Sequence, residues 1–308
     1  VCLVLAIVLA AAATLPHLRP RIVRHRSQPP VRTVLARAAP TAGPVPVGRG
    51  GPIPFRPDAC LRFEPRVPWN GATVFVDPGH GGADPGAMRR LGGRLVTEKQ
   101  VTLGVGLRAV GLLLSSGYRV VLSRLADTTV ASFGSSDLHQ GLLTPDAAQR
   151  EIEARNLCAN AAHADVLVAL HMNSFADPSA HGSETLYCPA RPFASRSRRL
   201  AEVTQRAMLA AVRSAGIRAF DRGVLQDREA GGAPLTPQTA NYHHLIELGP
   251  ADPPWLPDPS LMPGVLVEPA FLSNPAEASF ALSRRGQAAL AHAVVDALDT
   301  YFGKPRQV

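Results

Sequence analysis

An α/β fold, a single domain built on a mainly parallel, twisted sheet flanked by helices, is predicted by three observations in this sequence of 308 residues. From Thr73 onward, short apolar runs of strand length alternate with longer runs of helical periodicity. Three of the apolar runs end on a histidine or a glutamate, the pattern of strands whose carboxyl ends line a site. The hydrophobic content of 46% is ordinary for a globular chain, and this length can bury one sizeable core.

Residues 1–16 (VCLVLAIVLAAAATLP) are almost continuously apolar and are followed by arginines from Arg19 to Arg26. Sixteen residues is short for a bilayer span, so the segment reads as a signal peptide or an N-terminal anchor, and export is expected. Residues 17–70 are rich in Pro, Arg and Gly, with no sustained apolar period. Such a composition buries too little surface to offset its ordering entropy, so a disordered spacer is expected there. The folded domain is expected at 71–308, and a chain starting near residue 70 is expected to fold without the rest.

The net charge of +8 is confined to the N-terminal stretch: residues 1–70 hold ten arginines against Asp58 and Glu64. The basic spacer could meet anionic wall polymers or lipid headgroups. Residues 71–308 are formally neutral, which argues against a nucleic-acid partner. A monomer is expected.

Within the domain, Thr73–Val76 is a short buried strand. Thr97 stands at an N-cap position, after which Leu103, Leu107, Val110 and Leu114 recur at helical spacing until Gly117. Tyr118–Leu122 reads as a strand, 145–163 as a helix, Asp165–Leu170 and Ser183–Cys188 as strands, and 194–214 as a helix. Gly264–Val267 is a further strand, and 286–302 a closing helix with Leu290, Val294, Ala297 and Tyr301 on one face. Two long connections, 127–144 and 221–262, break the rhythm and could shape a binding groove.

Of the four cysteines, Cys2 lies in the apolar N-terminal segment. Among Cys60, Cys158 and Cys188 at most one pair can form; Cys158 with Cys188 is the expected pair in an exported protein, with unpaired buried thiols the other reading. No CxxC spacing marks a cysteine metal site, and the pair His243–His244 has no strand-end context.

The chemistry concentrates at the strand ends. Val74–Val76 leads into Asp77-Pro-Gly-His80-Gly-Gly82, Val166–Leu170 ends on His171 with Asn173 just beyond, and Val265–Val267 ends on Glu268. Glu98 joins them from the first turn of the helix that follows. Two histidines and one glutamate form a ligand set suited to catalytic zinc, with a position left open. Glu268 is then the candidate base, taking a proton from water and passing it to a leaving amine, and Asn173 is a candidate substrate contact. Singly, each residue has a duller reading: a strand-end histidine can be a hydrogen-bonded structural residue, and Glu98 simply a good first-turn residue. The weight lies in the combination. Glu247, in YHHLIEL, is a rival carboxylate.

The segments VFVDPGHGGADPGA (74–87), TEKQ (97–100), LHMNS (170–174) and VLVEPAFLSNPAE (265–277) resemble the four signature blocks of the zinc-dependent N-acetylmuramoyl-L-alanine amidases. They stand in the family's order, over residues 72–303. The resemblance implies a phosphorylase/hydrolase-like α/β domain, zinc held by His80, Glu98 and His171, and Glu268 as the catalytic glutamate. The implied substrate is peptidoglycan, cut at the amide between N-acetylmuramic acid and L-alanine of the stem peptide. The block at Val168-Ala-Leu-His171 departs from relatives that carry a serine two residues before the histidine. A zinc carboxypeptidase or deacetylase acting on another amide, or a peptidoglycan-binding or activator domain without turnover, are the alternatives.

Overall fold

The computed structural model describes residues 44–48, 51–230 and 235–304. The apolar segment 1–16 and the first half of the expected spacer, residues 17–43, lie outside them. Among the described residues no helix is long and apolar enough to cross a membrane.

The alternating strands and helices build one eight-stranded sheet. In chain order its strands are β1 (Val45–Pro46), β2 (Ala59–Phe63), β3 (Thr73–Pro78), β6 (Arg119–Arg124), β9 (Val166–Leu170), β10 (Ser183–Tyr187), β11 (Asp221–Gln226) and β12 (Gly264–Glu268). Two small hairpins stand apart, β4 (Met88–Leu91) with β5 (Arg94–Thr97), and β7 (Leu138–His139) with β8 (Leu142–Leu143). The large sheet runs β1-β2-β6-β3-β9-β12-β10-β11. Its central four strands, β6-β3-β9-β12, are mutually parallel, whereas β2 joins β6 and β10 joins β12 antiparallel.

The central strands are apolar on both faces because both faces are covered. Val74, Val76, Val166, Val168, Val265 and Val267 point to one side, where they pack with α1 (Glu98–Ser115), α3 (Ala194–Ser214) and α6 (Arg284–Tyr301). Phe75, Leu167, Ala169, Leu186 and Leu266 point to the other. That side is covered by α2 (Pro145–Ala161) and by the connection carrying Leu248 and Met262. The connection also contains α4 (Pro237–Tyr242), and α5 (Pro275–Leu282) precedes the closing helix.

Helix starts follow the local chemistry. Thr97 is the N-cap of α1, with extended backbone but no side-chain cap bond. Thr144 caps α2 by accepting from Ala147 N, and Pro145 fits the first turn, where a missing N–H costs nothing.

Two expectations are corrected. The spacer does not reach residue 70: β2 is buried beside β6, so chain from before the expected boundary is part of the sheet. Composition averaged over 17–70 hid the five-residue run Ala59-Cys60-Leu61-Arg62-Phe63, which is too short to shift the mean. The disulfide joins Cys60 to Cys158, and Cys188 is free and buried. Cys158 lies in α2, on the face that covers β2's side of the sheet, which puts it within reach of Cys60.

Candidate functional site

The parallel strands deliver their polar residues to one edge. After β3, Gly79 N donates to Leu170 O at 2.9 Å, tying the loop to β9. The chain then turns through His80, which sits in the left-handed region at φ 62°. A non-glycine residue held there costs roughly 1–3 kcal/mol. The surrounding structure holds it: Arg155 Nη2 donates to His80 O at 2.9 Å. His171 follows β9 directly, its N–H bonded to Val267 O of β12 at 2.9 Å. Glu98 opens α1 and is buried.

The three side chains converge. Glu98 Oε2 lies 3.1 Å from His80 Nε2, and Glu98 Oε1 lies 3.0 Å from His171 Nδ1. One ligand atom from each residue falls within 4.8 Å of the others. Two glycines keep the space clear. A Cβ on Gly79 would come within 2.4 Å of the His171 ring, and one on Gly86 within 2.6 Å of both Glu98 Oε2 and the His80 ring. The backbone of Ala87 and Met172 donates to the Glu98 oxygens, at 2.9 Å each, fixing the carboxylate.

The electrostatics suit a cation. Burial opposes ionisation of Glu98, but His80 and His171 outweigh it and hold its pKa well below the usual carboxylate range. Burial likewise opposes charge on His80, yet Glu98 and Asp84 raise its pKa well above that of a free imidazole. Asp84 Oδ2 lies 2.8 Å from His80 Nδ1, so Nε2 is the ring nitrogen turned toward Glu98. Despite burial, the charge on His80 brings the Asp84 pKa down to about 2. A carboxylate behind a ligating histidine fixes its tautomer and raises its basicity. Two imidazoles and a carboxylate fit a zinc ion.

Glu268 ends β12, paired in register with Glu184 of β10. Burial, followed by the nearby Glu98 and Glu184 carboxylates, raises its pKa well above the ordinary range, with His80 and Arg222 acting the other way. Asn173 Nδ2 donates to Glu184 Oε1 at 2.7 Å, and Arg222 Nε donates to Glu184 Oε2. Asn173 Oδ1 accepts from Ser174 N at 2.8 Å. Both ends of the Asn173 amide are thus engaged within the protein.

Glu247, the rival carboxylate, is elsewhere. It is buried behind the His80 loop against Asp77. Burial and then Asp77 raise its pKa well above the carboxylate range. Asp77 stays ionised, because Arg155 overcomes the cost of burial.

The sequence did not single out Asp84, Arg124, Arg155, Glu184 or Arg222. Asp84 could have been found four residues after His80, within the same motif. The others depend on strand register or on contacts across the sheet, which spacing does not give.

A parallel sheet whose carboxyl edge gathers two histidines and a glutamate, with a further half-buried glutamate alongside, defines an α/β domain with a candidate metal centre. The chain belongs to the N-acetylmuramoyl-L-alanine amidase family (Amidase_3), whose profile matches residues 74–300. It is similar to N-acetylmuramoyl-L-alanine amidase LytC of Bacillus subtilis, with 32% identity over 68% of this chain and 31% of that protein. It also resembles N-acetylmuramoyl-L-alanine amidase AmiC of Neisseria meningitidis, with 29% identity over 67% of this chain and 46% of the relative. The chain thus spans less than half the length of these two curated relatives. Among solved structures, an N-acetylmuramoyl-L-alanine amidase from Clostridium difficile 630 superposes with a TM-score of 0.54 and 26% identity, over 77% of this chain and 100% of that one.

Proposed function

We propose that this chain hydrolyses the amide between N-acetylmuramic acid and L-alanine of the peptidoglycan stem peptide, with zinc as its cofactor. The observation that carries the reading is the convergence of His80, Glu98 and His171 beside the partly exposed Glu268, in a chain of this family. His80, Glu98 and His171 would hold the ion, and Asp84 would fix the His80 ring. Bound there, zinc supplies Lewis acidity toward a carbonyl oxygen or a water molecule.

The protein's own groups do the rest. Glu268 takes the proton of the attacking water and returns it to the leaving amine, a role suited to a carboxyl whose pKa burial has raised toward the working pH. Arg222 and Asn173 clamp Glu184, which stands opposite Glu268 in the β10–β12 register. Asn173 therefore serves as a positioning residue through Glu184. The setting is the cell wall outside the membrane. That placement is supported by the Cys60–Cys158 bond, since such links persist in oxidising compartments, and by the apolar stretch at 1–16.

Mass spectrometry of soluble muropeptides incubated with the full chain tests this. Free stem peptides beginning at L-alanine are expected, abolished by a chelator and restored by zinc. Stem peptides shortened from their carboxyl end, or deacetylated sugars, would identify a different amide. Intact muropeptides in the presence of stoichiometric zinc would refute turnover on this substrate.

A further inference from the structure

A second group of metal-competent side chains lies away from the His80 centre. Cys188 directly follows β10, Asp227 opens the 3₁₀ turn after β11, and His244 follows α4. One ligand atom from each falls within 4.8 Å of the others. The Cys188 sulfur is 3.5 Å from His244 Nδ1, and the two Asp227 oxygens are 3.1 and 3.0 Å from that same nitrogen. Cys188 and Asp227 are each only 2% exposed.

One ring nitrogen has a single proton or a single lone pair to offer, yet a sulfur and two oxygens crowd it. A cation at their common centre would satisfy all of them. Tetrahedral zinc, with bonds of about 2.3 Å to sulfur and about 2.0–2.2 Å to nitrogen and oxygen, sets its donor atoms roughly 3.3–3.6 Å apart. The observed separations of 3.0–3.5 Å are close to those edges. A thiolate, an imidazole and a carboxylate also select zinc over magnesium or calcium, which prefer oxygen alone. Asp227 would bind through one oxygen, with a water molecule as the fourth donor, while its Oδ2 also accepts from Leu245 N at 3.3 Å.

We propose that Cys188, Asp227 and His244 form a second zinc site with a structural role. β10 runs antiparallel to β12, so Glu184 at its start lies beside Glu268 while Cys188 emerges at the other end. Four residues of strand separate them, roughly 13 Å at 3.3 Å per residue. An ion there stands apart from the scissile bond. It ties three elements together: the end of β10, the turn after β11, and the segment carrying Leu245 and Leu248, which covers the second face of the sheet. No CxxC spacing announces the site, and the His243–His244 pair has no strand-end context in the sequence. The three ligands come from separate elements and meet only in the fold. The proposal stands apart from the amidase reading, because it concerns different residues and a different readout.

The test is cobalt loading of the full chain carrying His171→Ala, which breaks the first site. Cys188 is the free cysteine among the described residues, and the His80 set contains no sulfur. A thiolate-to-cobalt charge-transfer band in the near ultraviolet is therefore expected in His171→Ala and lost in His171→Ala/Cys188→Ser. A folded His171→Ala chain with no such band would show that the cluster is a hydrogen-bonded triad only. Persistence of the band without Cys188 would place the ion elsewhere. Should either variant fail to fold, zinc-edge X-ray absorption on the wild-type chain decides. Sulfur in the zinc shell is expected, and a shell of nitrogen and oxygen alone overturns the proposal.

Discussion

Four glutamates near the strand ends, three of them buried and Glu268 half-buried, meet four different fates, each set by what faces them. Two imidazoles hold the pKa of Glu98 down, Glu184 is clamped by Arg222 and Asn173, Glu247 is raised by burial and by Asp77, and Glu268 is raised by burial and by two neighbouring carboxylates. Of the four, Glu268 is the one beside the candidate metal centre whose pKa is raised. Glu268→Gln is therefore expected to retain zinc and to lose turnover by roughly 10²–10⁴-fold, the usual weight of a general base. Glu247→Gln in the same assay is expected to keep turnover and to alter the pH profile of stability. The folded-state pKa of Glu247 is raised. Its contribution is thus present below the unfolded-state pKa and is lost as pH rises toward the folded value. Glutamine removes that loss, so the variant should hold its melting temperature better at alkaline pH than wild type. Full activity in Glu268→Gln with loss in Glu247→Gln would exchange the two roles.

At the scale of elements, the His80 loop is held from both sides of the sheet by buried arginines. Arg124, at the end of β6, donates to Pro78 O, Gly79 O and Lys99 O. Arg155, in α2, donates to Asp77 Oδ1, Pro78 O, His80 O and Glu151 Oε1. Burial lowers the Arg124 pKa to about 10, with Arg155 adding to the effect, while Asp77 and Glu151 outweigh burial and keep Arg155 charged. Arg155→Ala leaves those two carboxylates without their cation in a dry site, which costs about 3–5 kcal/mol. It also frees the carbonyl of His80, so zinc affinity should fall together with the denaturant midpoint. Arg155→Lys should recover part of the stability and little of the affinity, because an ammonium lacks the fork that spans Asp77, Glu151 and the loop. Unchanged zinc affinity in Arg155→Ala would separate the arginine from the metal loop. The three candidate metal ligands were legible in the sequence because each sits at a strand end or first helical turn, where local pattern alone fixes its direction. Arg124 and Arg155 were not, because an arginine in a strand or mid-helix reads as solvated until the opposite layer is in place. Glu184 needed the β10–β12 register, which a shift of one residue would have turned to the other face.

For the whole molecule, the parallel core was readable from Thr73 onward, and the antiparallel extension was not. β2 arrives from a stretch dominated by proline and arginine, and its partner β6 lies more than fifty residues downstream. Its burial closes one side of the sheet, and Cys60 links it to Cys158 in α2, three residues from Arg155. A chain starting at residue 71 would lose β1, β2 and the disulfide, and would leave β6 as an exposed, apolar edge open to pairing with other chains. The cross-link encloses a sequence separation of 98 residues. Closing so long a loop removes much of the entropy of the unfolded chain, and a loss of about 2–5 kcal/mol is expected on its removal. Denaturant unfolding of the full chain with and without reductant measures this directly, with Cys60→Ala as the covalent control. Coincident curves would mean that β2 is held by the sheet alone. A large shift shared by reductant and variant would make the N-terminal strand part of what holds α2, and through Arg155 the His80 loop, in place.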